Sequence, residues 1–168
     1  MSMTHYMELL ASNQPWNLIL FMAVPVVLAE TVAITELYIL FTRRRNNVFG
    51  TLNRTASIIG GFYFSGVFVY LMTVAAVPLT LGGGWRGPAD VIAVGAYLSG
   101  IVPLLGLALT DIGVIAKGHT DEQRLMLHAG LVAVFLVVAH VAMIFGMLDP
   151  AVLMAKAEAA MERGTMRH

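Results

Sequence analysis

Four long apolar stretches constrain this chain more than any other feature of its sequence. A membrane-spanning helix needs about 20 mostly apolar residues at a rise of ~1.5 Å each. Residues 16–42, 56–81, 89–117 and 125–148 satisfy that requirement. The composition agrees: 58% of the 168 residues are hydrophobic and 12% are charged, half the charge of an ordinary soluble domain.

The punctuation between the stretches sets their limits. Arg43-Arg44-Arg45-Asn46-Asn47 stops the first, and the run from Gly82 to Pro88 is a turn. Gly118 to Glu122 separates the third from the fourth, with Thr120 or Asp121 suited to cap the helix that follows. Asp149-Pro150 ends the fourth, and a polar, alanine-rich helix over about 151–163 is expected to lie at the interface. Thr4 to Ala11 reads as a second interfacial helix, with Tyr6 and Trp16 as headgroup-level anchors. Residues 1–15 lack the basic and apolar regions of a signal peptide, so the first span is expected to be retained.

These elements predict an all-α fold: an integral membrane four-helix transmembrane bundle, up-down-up-down, forming one polytopic domain with short interfacial helices at both termini. Pro25, Pro78 and Pro103 are expected to kink their spans. Small residues at four-residue spacing, Gly61/Ser65, Gly95/Ser99, Ala96/Gly100 and Ala142/Gly146, offer seams for close helix approach. Arg43, Arg44, Arg45, Arg54, Lys117 and Arg124 flank two loops on one side, which places those loops in the cytoplasm and both termini outside. The expected location is a bacterial inner membrane, with the bilayer as first partner and a homodimer as the assembly that would bury the most polar surface. The zero net charge implies no nucleic acid.

Cysteine is absent, which removes disulfides, thiolate metal sites and cysteine nucleophiles. No phosphate-binding loop, nucleophile elbow or HExxH sequence occurs, and Gly82-Gly83-Gly84 lacks the lysine that phosphate binding requires. Chemistry therefore falls to the few ionisable residues at membrane depth, each costing roughly 2.5–3.5 kcal/mol to insert. These are Glu30, Glu36, Asp111, His128 and His140. Counting rises from each span's midpoint puts Glu30 near the middle and His140 about 6 Å toward the outside. Glu36, Asp111 and His128 all fall about 10–12 Å toward the cytoplasm. Two carboxylates and an imidazole at one level are a candidate site for a divalent non-haem metal. The competing reading pairs Asp111 and Glu36 with Arg44, Arg45, Arg124 or Lys117 at the rim. Glu30 is read either as a protonated carboxyl bonded to Thr31, Thr35 or a kink carbonyl, or as a proton-relay or ligand group.

His128 and His140 are twelve residues apart, about 18 Å along one helix. That spacing resembles the membrane b-type cytochromes, in which a four-helix bundle holds haems near each surface. The resemblance implies haem b, with His128 and His140 as axial ligands, Glu30 as an imidazole partner or ligand, and Arg44, Arg45 or Arg124 holding propionates. Phe62, Phe64, Tyr70 and Phe135 would offer flat apolar surface to a porphyrin. The pattern departs from that family in one respect: spans one to three contain no histidine. Met22 or Met72, a carboxylate, an open position or a second subunit's histidine would have to complete the iron. Three functions follow: a haem or metal protein for electron transfer or sensing, a small proton- or cation-coupled transporter or permease subunit, and a structural accessory subunit. His5, His119 and His168 are expected to be solvated.

Overall fold

The computed structural model describes residues 3–150, and the terminal helix expected over 151–163 lies outside them. Four described helices have the length and composition to cross a membrane: span one Trp16–Thr42, span two Val48–Gly82, span three Pro88–Ile112 and span four Asp121–Met147. No strand occurs among the described residues. The protein is thus an all-helical, multi-pass membrane protein, consistent with a four-helix bundle.

Capping chemistry explains where the spans depart from the apolar stretches. Span two begins at Val48 rather than Ala56, because the Asn47 side chain accepts the Gly50 N–H at 2.9 Å. Span four begins at Asp121, where Thr120 and Gln123 bond reciprocally in a capping box. Span three ends at Ile112 rather than Lys117. Gly113 adopts φ +83° there, a left-handed conformation that suits glycine and closes the helix.

Each of the three prolines follows an irregularity in its helix. A π-helical turn, Ile19–Ala23, precedes Pro25, and another, Met72–Ala76, precedes Pro78. Proline has no N–H to give to the carbonyl one turn earlier, so that carbonyl needs a new donor. For Pro25 the freed carbonyl is that of Phe21, and the Tyr97 hydroxyl of span three donates to it. In span three the helix breaks at Gly100, one turn before Pro103.

Each span packs beside its sequence neighbour, and span four also meets span one. Spans two and three approach closely at Gly61, whose missing side chain admits Ala108 and the Leu104 carbonyl. Gly95, by contrast, faces open space. A short helix, His5–Ala11, capped by the Thr4 hydroxyl, folds over the end of the bundle opposite the arginine loop. Tyr6 and Leu10 are buried beneath it, so Tyr6 is a packing residue rather than a headgroup anchor, while Trp16 is 61% exposed.

Two apolar layers fill the interior. One, near the N-terminal helix, holds Tyr6, Leu10, Phe21, Leu71 and Leu98. The other, deeper, holds Val32, Phe64, Leu104, Leu107, Val132 and Phe135. Buried Thr4 and Asp90 lie at the end with the N-terminal helix, while buried Thr35, Glu36, Asn53, Ser57, Thr110 and His128 lie beyond the second layer, toward the arginine loop.

A buried carboxylate–imidazole–carboxylate site

His128 sits at the centre of those polar residues with none of its surface exposed. Its Nδ1 lies 3.2 Å from Glu36 Oε2 of span one. Its Nε2 lies 3.2 Å from Asp111 Oδ1 of span three, at ion-pair distance but off the axis of a hydrogen bond. The equal depth read from the sequence therefore corresponds to contact: three helices each place one ionisable group in one site. Local sequence makes this possible. Glu36 is four residues from Val32 and three from Ile39, so the apolar face that packs span one also turns the carboxyl inward.

Span two contributes the polar support. Asn53 Nδ2 lies 3.0 Å from Glu36 Oε2, 2.9 Å from Thr35 Oγ1 and 3.1 Å from the Val32 carbonyl. Its two N–H groups cannot serve all three acceptors at once. Ser57, one turn on, donates to Asp111 Oδ2. Asn53 and Ser57 are thus the residues that sequence reasoning missed. Their four-residue spacing on one helix face was the available signal, hidden because Asn53 had been placed before the span.

The site is asymmetric. On the arginine side, a basin of about 670 Å³ reaches Asp111 and Asn53 between Arg45, Arg54, Thr110 and Arg124. Glu36 and Asp111 make no ion pair with arginine or lysine among the described residues, so the rim-pairing expectation does not describe them. Arg43 pairs instead with exposed Glu122 at 3.2 Å, Arg44 lies in a separate groove beside Asp121, and the Arg124 guanidinium donates to the Ala116 carbonyl. On the other side, the Phe64–Val132–Phe135 layer separates the site from an apolar cavity of about 280 Å³. Tyr6, Met22, Pro25, Tyr97 and Met143 line that cavity.

The remaining predicted residues lie elsewhere. Glu30 is exposed on span one and makes no hydrogen bond or ion pair among the described residues. His140 is exposed on span four, its Nδ1 bonded to the Leu136 carbonyl at 2.6 Å. Neither faces the interior with His128. Of the proposed porphyrin contacts, Phe64 and Phe135 are core residues, while Phe62 and Tyr70 are 55% and 48% exposed. His5 is not simply solvated. It bonds Asp90 at 2.5 Å, joining the N-terminal helix to the start of span three.

The ring geometry bears on metal binding. An imidazole nitrogen binds a metal through its in-plane lone pair, and the two carboxylates face different nitrogens. One ion at either nitrogen could recruit only the carboxylate on that edge. Among the described residues no three His, Cys, Asp or Glu side chains converge as a ligand set. The arrangement can instead hold and exchange protons. Fully charged, two carboxylates and one imidazolium carry one net negative charge, with Arg45, Arg54 and Arg124 along the basin on the Asp111 side. Glu36 Oε1 is buried with no hydrogen-bond partner among the described residues.

No curated protein and no solved structure matches the chain. Residues 1–162 match the model of DUF6803, a family of unknown function, and the chain belongs to that family.

Proposed function

We propose that this protein is a small proton-coupled transporter or permease subunit in which Glu36, His128 and Asp111 form the proton-carrying site. The observation that carries the reading is the fully buried His128 ring, set between carboxylates from two other helices, one of which, Asp111, lines the basin on the arginine side. Intramembrane ionisable groups are costly and most often mark ion or proton paths. In this reading a proton enters past Arg45 and Arg124, reaches Asp111, and passes across the imidazole to Glu36. A ring that can take a proton at one nitrogen and release it at the other suits that transfer. The Phe64–Val132–Phe135 layer blocks further passage in this conformation, as an alternating mechanism requires of its closed side.

The arginine asymmetry supports placing the basin in the cytoplasm and both termini outside. A haem iron or other metal at His128 would need a ring nitrogen facing space for it; both His128 nitrogens face carboxylates, so the geometry at this residue favours proton exchange.

The test is infrared difference spectroscopy of the purified protein in lipid between acid and alkaline pH, with pyranine-loaded proteoliposomes as the flux assay. The wild type is expected to show a protonated-carboxyl band that titrates, and Glu36→Gln or Asp111→Asn should remove or shift it. Glu122→Gln, at an exposed site, should leave the band unchanged. A wild type with no titrating buried carboxyl band would overturn the proposal. An acid-induced proton flux equal to that of empty vesicles would count against transport while leaving the proton site standing.

A further inference from the structure

Glu30 and His140 pose a problem that the interior site does not answer. Both stand at membrane depth, both are exposed, and Glu30 has no partner among the described residues. Ionisable side chains in spans almost always face a protein interior or a cavity rather than lipid. Two on one bundle mark a surface that something covers.

Helix geometry places them on the same face. Glu36 and His128 point at each other across the seam between spans one and four. Glu30 precedes Glu36 by six residues, which turns it ~120° away; His140 follows His128 by twelve, which also turns it ~120° away. The two spans run in opposite directions, so these rotations have opposite sense seen from one side. They carry both residues to the flat face of spans one and four that is turned away from spans two and three. Leu28, against Gly60 of span two, and Leu131, against Gly106 of span three, mark the opposite face.

We infer that this face is the contact between two copies of the chain, with Glu30 of each copy meeting His140 of the other. The charge complement commits the occupant. A two-fold axis along the membrane normal sets span one of one copy against span four of its partner, and it keeps depth unchanged. Taking Glu36 and His128 as level, Glu30 lies ~9 Å and His140 ~18 Å from them along the bundle. Side chains lean toward their own helix N-terminus. Glu30 therefore leans toward the end with the N-terminal helix, and His140 leans back toward the arginine end. The bond from His140 Nδ1 to Leu136, one turn earlier, shows that lean. The two leans point toward each other and narrow the ~9 Å offset between the two levels. A carbonyl only accepts, so Nδ1 carries a proton and Nε2 is left to pair with a carboxyl group. Ala129 and Ala133, four residues apart on the same face and about 16 and 10 Å from His140 toward the arginine end, permit close backbone approach. The apolar cavity between Met22, Val26 and Met143 opens along the same seam and would be covered.

The test uses the absence of native cysteine. Leu37→Cys and Ala129→Cys, at nearly one level on this face, are placed in two differently tagged copies and oxidised in native membranes. A disulfide-linked product carrying both tags is expected. Val69→Cys with Val102→Cys, exposed on spans two and three, should give none. Glu30→Leu or His140→Leu should each weaken association by roughly three- to thirtyfold, the range for a polar contact between helices in a bilayer. Both sites are exposed, so the variant monomers should still fold. A Leu37–Ala129 link formed only within one chain, no link at all, or leucine variants that associate as tightly as the wild type would each overturn the proposal.

Discussion

Asn53 gives an N–H to the same Glu36 oxygen that faces His128, 3.0 Å away, and so leaves the other oxygen without a partner. Asn53 Nδ2 and His128 Nδ1 converge on Oε2 while Oε1 has no partner among the described residues, and all of these groups are buried. The carboxyl is thus held in one orientation by span two, and the orientation serves the imidazole.

This coupling predicts strongly non-additive energetics. His128→Leu alone leaves buried Glu36 and half-buried Asp111 without the group between them, and loss of one partner from a buried ionic site costs up to about 3–5 kcal/mol. Adding Glu36→Gln and Asp111→Asn removes the stranded charges and should recover most of that loss. Unfolding in mild detergent by thermal or denaturant titration would measure it. A triple variant no more stable than His128→Leu would show that the three side chains do not act as a unit.

The close approach of spans two and three predicts opposite outcomes at two glycines of the same span. A Cβ at Gly61 would lie 2.5 Å from Ala108 Cβ and 2.6 Å from the Leu104 carbonyl oxygen. Backbone cannot step aside cheaply there, so Gly61→Ala should cost about 1–3 kcal/mol. At Gly66 nothing lies within 4 Å. Gly66→Ala should stabilise by about 0.5–1 kcal/mol through helix propensity alone. Parallel unfolding curves of the two variants decide the matter, and a harmless Gly61→Ala would mean that spans two and three are further apart.

Much of this fold is written in the chain, because each span is an apolar run bounded by arginines, glycines or prolines. The depth of Glu36, Asp111 and His128 was also readable, since rise per residue is fixed. Rotation was not. In a bilayer the lipid-facing and core-facing sides of a helix are both apolar, so no hydrophobic stripe marks the interior. That is why His140 and His128 look equivalent in sequence, yet one faces outward and the other has none of its surface exposed. Asn53 escaped notice for a different reason: a polar first turn before Ala56 reads as loop until the Asn47 cap is seen to start the helix there.

Burial of the N-terminal helix gives an alkaline prediction. Desolvation pushes the Tyr6 phenol from its ordinary 10.0 up to about 12. The folded state then holds its proton more tightly than the unfolded chain, so this contribution is fully present below pH 10 and is lost between about 10 and 12. Hydrogen exchange of residues 5–11 should accelerate across that range, and Tyr6→Phe should delay the change. Unaltered alkaline behaviour in Tyr6→Phe would assign it to another group.

The same helix is tied down by Asp90, which supplies the last prediction. This carboxylate is fully buried at the start of span three. One oxygen accepts the His5 backbone N–H at 2.7 Å, and the other meets the His5 ring at 2.5 Å and the Arg86 backbone N–H at 3.2 Å. Arg86 in turn holds the Met3 carbonyl and Glu8. Thr4 adds a bond to the Gly146 carbonyl of span four, 2.7 Å away. Asp90→Ala would strand two backbone donors and the ring at once, and each unsatisfied buried donor costs about 1–3 kcal/mol. Asp90→Asn keeps the shape and acceptor but loses the charge, so it should cost less. The expected result is graded loosening of residues 4–11, measured by hydrogen exchange or by protease access near Asn13, with the spans themselves intact. The interior site lies on the far side of two apolar layers. Its titrating carboxyl band should therefore be unmoved in Asp90→Asn, and a shifted band would mean that the two ends of the bundle are coupled through span three.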